Sequence, residues 1–418
     1  MNSRPEDFLE TADEIGAKLC RNAIWAGKRC NWVGPSMEFI EGDWRPVYRA
    51  CGPTIYNGTS GVALFLQHLA DLTGFGEYRR CAAGAYEQAL SKAHEIPVNC
   101  RSGFYTGVTG IAYAGLQMGR LETSFALLKG MIDDEIEGQD LDLVSGSAGA
   151  IAVLLALHAR YGEDFLLDLA TRHGDYLVRS ARRNGDGWSW NTLRLAFGHD
   201  LTGLSHGTSG IAWAMLELFA RTAEPVYRDA ALQALQYERR WFSPVHGNWP
   251  DFRTQNERNP PGSGDPSYSL AWCHGAPGIG LARVRAYEIL GEPWCREEAE
   301  TALRTTSWSL SETALRNQNF SLCHGAGGNA ELPLASGIVF QDETAARLAH
   351  DVARFGIETF RKKRMPWSCG VAHASETPSL MLGLAGIGYL YLRLYDPAGV
   401  PSVLLLEQPR GTQSAQEA

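Results

Sequence analysis

Two kinds of apolar pattern alternate along this chain, a one-sided stripe and a dense run, and both read as helix. Near the N-terminus Phe8, Leu9, Ala12, Ile15, Leu19 and Ile24 fall roughly a helical turn apart, which predicts a helical lead-in over residues 1–50. Beyond it, a Gly-x-x-Gly stands seven times at the mouth of a dense apolar run. The pairs are Gly58 and Gly61, Gly107 and Gly110, Gly146 and Gly149, Gly207 and Gly210, Gly275 and Gly278, Gly325 and Gly328, and Gly383 and Gly386. Second helical patterns lie between them, as from Tyr78 to Ala93, Phe125 to Ile136 and Tyr227 to Trp241.

The first glycines of the motif are about forty to about seventy residues apart, room for two helices and their loops. The expected unit is a helical hairpin. Its glycines let each inner helix start close to its neighbours and permit turns that other residues resist. Hairpins of this kind either stack as an open solenoid or close into a ring. An open solenoid needs polar capping units, and none is evident here. The expectation is therefore an all-α fold, an α/α toroid of seven helical hairpins over residues 51–406, forming with the lead-in a single domain of 418 residues. Such a ring puts every motif at one end of one cavity and gathers the fourth, fifth and sixth units around it. The stretch from Pro244 to Pro266 is rich in Pro, Asn, Gly and Asp and reads as a surface loop. The polar tail 407–418 reads as disordered.

Length alone suggests two or three domains, but repeat folds escape that expectation because each unit extends one core. The net charge of −9 argues against a general nucleic-acid binder. No apolar stretch is long enough to span a membrane. The start lacks the basic-then-apolar order of a signal peptide, and nine scattered cysteines fit reduced thiols, so a cytoplasmic location is expected.

The chemistry concentrates in the later motifs. Trp272-Cys273-His274-Gly275 and Leu322-Cys323-His324-Gly325 each set a thiol beside an imidazole. Thiolate and imidazole are ligands zinc prefers, and Cys273, Cys323 and His324 are the proposed zinc ligands. Adjacent helical residues point about 100° apart, so Cys323 and His324 share a metal only in a loop or at a helix start, which Gly325 provides. With His274 as a fourth ligand the site would be closed and structural; with three ligands and a water it would be open and catalytic. The plain alternative is buried thiols and satisfied histidines. His206 holds the corresponding place in the fourth unit and is the candidate acid or base. Asp142, four residues before Gly146, either orients an imidazole or caps its helix. His199 and Asp200 compete with these, and Cys369 with His373 is a weaker ligand pair. Helical rings also serve glycosidases, which use paired carboxylates. Here Asp142 is the lone acid at the motifs, which disfavours sugar chemistry.

At these residues the chain resembles the lanthionine synthetase C-like family, from about Pro53 to Glu407. The segments Ser205-His-Gly-Thr-Ser-Gly210, Trp272-Cys-His-Gly-Ala-Pro-Gly278 and Leu322-Cys-His-Gly-Ala-Gly-Gly-Asn329 carry the resemblance in that order. The segment from Ser379 to Tyr389, followed by Val400 to Glu407, is similar to the C-terminal cyclase domain of class II lanthipeptide synthetases. The dehydratase domain of those enzymes is missing, so the chain is expected to be a free-standing cyclase or a fragment, with the initiating Met favouring the former. The resemblance implies an α/α toroid holding Zn2+ on Cys273, Cys323 and His324, with His206 as acid/base and Asp142 as the active-site aspartate. Two departures stand out. Some relatives carry arginine four residues before the first cysteine, where this chain has Ser269, so another donor must stabilise an enolate. Some have tyrosine at His274.

The implied reaction is a Michael-type addition, in which a peptide cysteine adds to dehydroalanine or dehydrobutyrine and closes a thioether ring. The implied partners are a dehydrated precursor peptide and a separate dehydratase or kinase-type modifying enzyme. Two rivals remain: addition of a small thiol such as glutathione to dehydroamino acids, and a non-catalytic module that holds the peptide for a dehydratase.

Overall fold

The computed structural model describes residues 5–40, 43–195, 198–254, 266–372 and 374–406. His373 and the tail 407–418 lie outside them, as does much of the stretch between Pro244 and Pro266.

The lead-in is helical only at its start. Helix α1 (Pro5–Arg21) buries Phe8, Ala12, Ile15 and Leu19, the stripe visible in the sequence. Two antiparallel hairpins follow, β1 (Ile24–Ala26) with β2 (Arg29–Asn31), and β3 (Val33–Ile40) with β4 (Asp43–Ala50). Ile24 therefore begins a strand and does not end a helix. The turn at Gly27, with φ of +63°, reverses the chain between Ala26 and Arg29.

Six hairpin units come next in chain order. They are α2 (Thr59–Thr73) with α3 (Gly76–Lys92), α4 (Val108–Gln117) with α5 (Leu121–Lys129), and α6 (Ser147–Tyr161) with α7 (Asp164–Ser180). A short hairpin, β5 (Arg182–Asn184) with β6 (Gly187–Ser189), precedes α8 (Thr208–Thr222) with α9 (Pro225–Arg239). Then come α10 (Ala276–Leu290) with α11 (Pro293–Ser309), and, after the short α12 (Glu312–Leu315), a sixth unit. Its inner helix is split into α13 (Ala326–Asn329) and α14 (Glu331–Val339), as expected where Pro333 removes a helical N–H, and α15 (Glu343–Gly356) packs outside it. The seventh inner helix, α16 (Leu384–Tyr395), is the last, and its outer partner is α1 from the other end of the chain. The lead-in is thus half of the seventh unit. Among the described residues no helix is long and apolar enough to cross a membrane.

The inner helices touch in sequence around the ring, and α16 returns to α2. They are apolar on nearly every side, as buried helices are: Thr59–Ala70 of α2 and Ser147–His158 of α6 are buried throughout. The ring also closes through the backbone. Tyr56 donates its N–H to Tyr105, Tyr105 to Val144, Ser205 to Cys273, Cys273 to Cys323, Cys323 to Met381 and Met381 to Tyr56, at 2.8–3.2 Å, with Leu143 donating to Ser205 to complete the circle. Each acceptor in that circle stands two residues before the first glycine of its motif.

The second glycine of each motif has a steric reason. A β-carbon at Gly278 would overlap the carbonyl oxygen of Trp272, and one at Gly386 would overlap that of Leu380. The same six-residue relationship recurs in the other five motifs.

One buried charge network ties the fourth and fifth units together. Arg283 of α10, fully buried, donates to Glu238 of α9 at 2.9 Å and to Glu298 of α11 at 2.7 Å. Glu238 also accepts the Gly203 N–H at 2.8 Å and so anchors the loop that leads to His206. The C-terminal segment packs against the inner helices. Val403 and Leu404 are buried there, their carbonyls accepting from Tyr105 at 2.7 Å and from Trp272 at 3.3 Å.

Candidate functional site

The circle of backbone hydrogen bonds fixes which side chains meet. Because Cys273 and Cys323 hold equivalent places in adjacent units and are joined through their backbones, their side chains lie together at the hub. Both are buried, at 8% and 5% exposure, and their thiols hydrogen-bond to each other. Their pKa values are pushed in opposite directions. The bond from Cys323 stabilises the Cys273 thiolate, and together with the charges of Arg253 and His206 it outweighs burial, so the Cys273 pKa is lowered. Cys323, as the donor in a buried place, is raised well above its ordinary value. The Tyr56 hydroxyl reaches across from the first unit to donate to the Cys323 sulfur at 2.9 Å.

His206, in the loop of the fourth unit, lies 2.6 Å through its Nδ1 from the Asp142 carboxylate of the third. Burial alone would lower the pKa of this imidazole. The Asp142 charge and hydrogen bond reverse that, and the nearby Cys273 adds to them, so the His206 pKa is raised. Nδ1–H is held by Asp142, which leaves Nε2 as the working nitrogen of a ring 24% exposed. Asp142 thus orients an imidazole and does not cap α6, whose N-cap Gly146 has no side-chain partner; its other oxygen accepts the Ser145 N–H at 2.6 Å and so closes the turn before the helix.

His324 stays at the surface of the site, its Nε2 2.8 Å from the Gly370 carbonyl. A carbonyl only accepts, so Nε2 carries the hydrogen and the lone pair of a neutral ring is on Nδ1. Partial desolvation of the ring, with the Arg253 charge, lowers the His324 pKa against the Gly370 carbonyl, which raises it; the net direction favours the neutral form that a metal ligand needs. Among the described residues no three His, Cys, Asp or Glu side chains are drawn together as a ready-made metal cage. The donor types nevertheless suit zinc: two neighbouring thiols, one with a lowered pKa, and in the next residue of the chain an imidazole whose Nε2 is fixed by a carbonyl.

His274 is buried at the His206 side, with its ring centroid 5.9 Å from that of His206 and its Nε2 3.4 Å from the Ser205 hydroxyl. Burial and the Arg253 charge hold it well below its ordinary pKa, and it remains neutral. The competitors lie elsewhere. His199 packs against Trp241 and Phe252 at ring distances of 4.4 and 5.0 Å. Asp200 accepts from Ser189 at 2.7 Å and Arg182 at 2.9 Å, bracing the β5–β6 hairpin. The Cys369 thiol is pushed up to about 12 by burial, and its neighbour Gly370 is what reaches His324.

Two groups escaped the sequence reading. Tyr56 stands two residues before Gly58, the register of Cys273 and Cys323, so the repeat itself marks it. Arg253 with Asp251 lies in the stretch read as loop, where no periodicity marks anything.

Known proteins resemble this chain in sequence and in fold. The family described as lanthionine synthetase C-like protein matches residues 50–405. The lacticin 481/lactococcin biosynthesis protein LcnDR2 of Lactococcus lactis subsp. lactis is 25% identical over 298 residues, covering 67% of this chain. The chain spans only 28% of that relative's length. Among solved structures, nisin cyclase superposes with a TM-score of 0.68 at 16% identity, covering 96% of this chain and 98% of that one, which supports the toroid. A GH76 α-mannanase of Bacteroides thetaiotaomicron shares the general ring at a TM-score of 0.51, 8% identity and coverages of 95% and 96%.

Proposed function

Because this chain belongs to the lanthionine synthetase C-like family, we propose that it is a lanthipeptide cyclase, closing thioether rings between peptide cysteines and dehydroalanine or dehydrobutyrine. The observation that carries this reading is the meeting of a thiol pair, Cys273 and Cys323, with an acid/base pair, His206 and Asp142, at one mouth of the ring. Zinc held by Cys273, Cys323 and His324 would supply the positive charge that keeps an incoming peptide thiol deprotonated near neutral pH.

The residues of the chain do the rest. Closure adds S–H across a C=C bond: sulfur bonds the β-carbon, a proton arrives at the α-carbon, and nothing leaves. His206, its pKa raised by Asp142, delivers that proton from Nε2. Asp142 fixes the ring's orientation and stabilises its charged form. Tyr56 and the Gly370 carbonyl hold Cys323 and His324 in place from behind. The walls of the cavity bring thiol and alkene together, an advantage worth several kcal/mol, of order 7–11 when orientation is ideal.

The substrate has to arrive dehydrated, so a dehydratase that removes water from serine and threonine must act first, on this chain's own partner or within a longer protein. The test is incubation of the full chain with a peptide bearing one cysteine and one dehydroalanine. Cyclisation leaves the mass unchanged but removes the thiol from reach of an alkylating reagent. Loss of alkylation with wild-type chain and not with Cys273→Ala supports the reading. Equal alkylation with and without the chain rejects it.

A further inference from the structure

After α16 the chain reverses, and residues 397–406 run back along that helix toward its start. Arg393, near the end of α16, donates through Nη1 to the carbonyls of Pro397 at 2.7 Å and Val400 at 2.9 Å. Tyr389, about one turn earlier, donates its hydroxyl to the Pro401 carbonyl at 2.9 Å. Beyond that point the segment reaches other units. Tyr105 of the second unit donates to the Val403 carbonyl at 2.7 Å, and Trp272 of the fifth donates its Nε1–H to that of Leu404 at 3.3 Å. Arg393 is itself buried and held by Glu331 of the sixth unit, through Nε at 3.2 Å and Nη2 at 3.1 Å.

A segment gripped by the second, fifth, sixth and seventh of seven units crosses the centre of the ring. The second and fifth units meet there, with the rings of Tyr105 and Trp272 edge to face at 5.4 Å. Val400, Ser402, Val403, Leu404 and Leu405 are all buried. Between Ser402, Val403 and Leu404 and the wall of Leu322, Tyr389 and Arg393, the packing leaves a cavity of about 10 Å³, room for one water at most. The centre is filled, so the ring is a cup and not a pore.

The residues that rest on this filling adjoin the thiols. Trp272 immediately precedes Cys273, and Leu322 immediately precedes Cys323. Both are buried, and both meet the same two residues of the segment, Trp272 by its hydrogen bond to Leu404 and Leu322 across the small cavity it shares with Val403 and Leu404. We infer that residues 397–406 are the floor of the reaction chamber, and that Val403 and Leu404 position Cys273 and Cys323 through Trp272 and Leu322. The chemical purpose of that floor rests on the cyclase reading above; the positioning needs only the thiol pair. Two sulfurs that share a metal have to be held to within about 0.2 Å of their ligand distances. A backing that cannot yield keeps them near that spacing before a metal arrives. A filled centre also denies water a second route to the thiols, so a peptide enters and leaves at the mouth where His206 stands.

The test separates support of the thiols from support of the fold, in the full chain. Trp272→Phe and Tyr105→Phe each remove a donor to the segment beside the thiols, and Tyr389→Phe removes a donor to the same segment farther from them. Zinc affinity is read by competition with a chromophoric chelator, stability by the urea midpoint, and ring closure with the cysteine–dehydroalanine peptide. Tyr389→Phe is expected to lower the midpoint and to leave zinc affinity and closure rate at their wild-type values. Trp272→Phe combined with Tyr105→Phe is expected to weaken zinc about 10-fold and to slow closure at saturating peptide by a similar factor, with KM unchanged. Each single variant is measured as well, so that a combination too weak to fold does not decide the matter. Folded variants at Trp272 and Tyr105 that hold zinc as tightly as wild type overturn the inference, as does a Tyr389→Phe chain that loses zinc equally, because the segment then supports the fold alone. A wild-type chain that binds no zinc overturns it too. If the wild type binds zinc but closes no ring, while the Trp272 and Tyr105 variants lose zinc, the positioning stands and the cyclase reading fails.

Discussion

His206 and Asp142 come from different units of the ring, yet imidazole Nδ1 and carboxylate Oδ2 stand 2.6 Å apart. The pair forms because the backbone of Leu143 donates to Ser205, locking the third and fourth loops side by side. Its effect on pH dependence follows from the sign of the shift. The folded-state pKa of His206 is raised, so the acid form is populated below that value and lost as pH rises through it. Stability from the pair runs the same way: it is fully present below the unfolded value of about 6.5 and is lost as pH climbs through the higher folded value. Asp142→Asn removes the charge that raises the pKa. The basic limb of the ring-closure rate should then move to lower pH, which a rate profile between pH 5 and about 9 would reveal.

The steric requirement at the second glycine of each motif predicts a graded response. Gly278→Ala places a methyl group against the Trp272 carbonyl and should cost about 3 kcal/mol. Gly76→Ala, at the exposed start of α3 with nothing within 4 Å, should change stability by less than about 0.5 kcal/mol. Urea unfolding midpoints of the two variants would separate them.

Glu238 joins the stability of the ring to the geometry of the His206 loop. Glu238→Ala leaves buried Arg283 with Glu298 as its one carboxylate partner among the described residues and frees the Gly203 N–H. A loss of about 3 kcal/mol is expected, at the lower end for breaking a buried pair because Glu298 remains. Ring closure should slow even at temperatures where the variant is fully folded, measurable by comparing rates with circular dichroism melts.

Tyr56→Phe removes one hydroxyl and its hydrogen bond to the Cys323 sulfur. The fold should lose about 1 kcal/mol, as for a typical hydrogen bond. If zinc is held as proposed, its affinity should drop roughly 10- to 100-fold, the usual effect of deleting a group that orients a ligand. Competition with a chromophoric chelator measures this directly, and unchanged affinity would show that Cys323 is held without the hydroxyl.

The inner ring was legible because its rule is strict: an inner helix cannot begin where it does unless its third residue lacks a β-carbon, and seven Gly-x-x-Gly pairs record that. The thiol pair was legible for the same reason, since the common register before each glycine puts Cys273 and Cys323 side by side. The partner of α16 was not. Hydrophobic spacing shows that α1 has a face to bury, but pairing between the two ends of a chain leaves no local trace. The β1–β2 hairpin was hidden by its three-residue strands, and the eight-residue strands of β3–β4 by Pro35 and Pro46, which interrupt the strand signal. Arg253 was hidden because its pairing depends on Asp251 and Ser269 meeting across a loop, a contact set by folding and not by spacing.

Because Met381 donates to Tyr56 and α16 packs on α1 and α2, the first unit of this chain lacks one neighbour until its last unit is in place. The five units between them can each pack on the one before, but α1 and α2 keep an open face toward α16 until then. Joining elements so far apart in the chain carries a large loop-closure cost, so closing the circle is expected to be the slow step of folding.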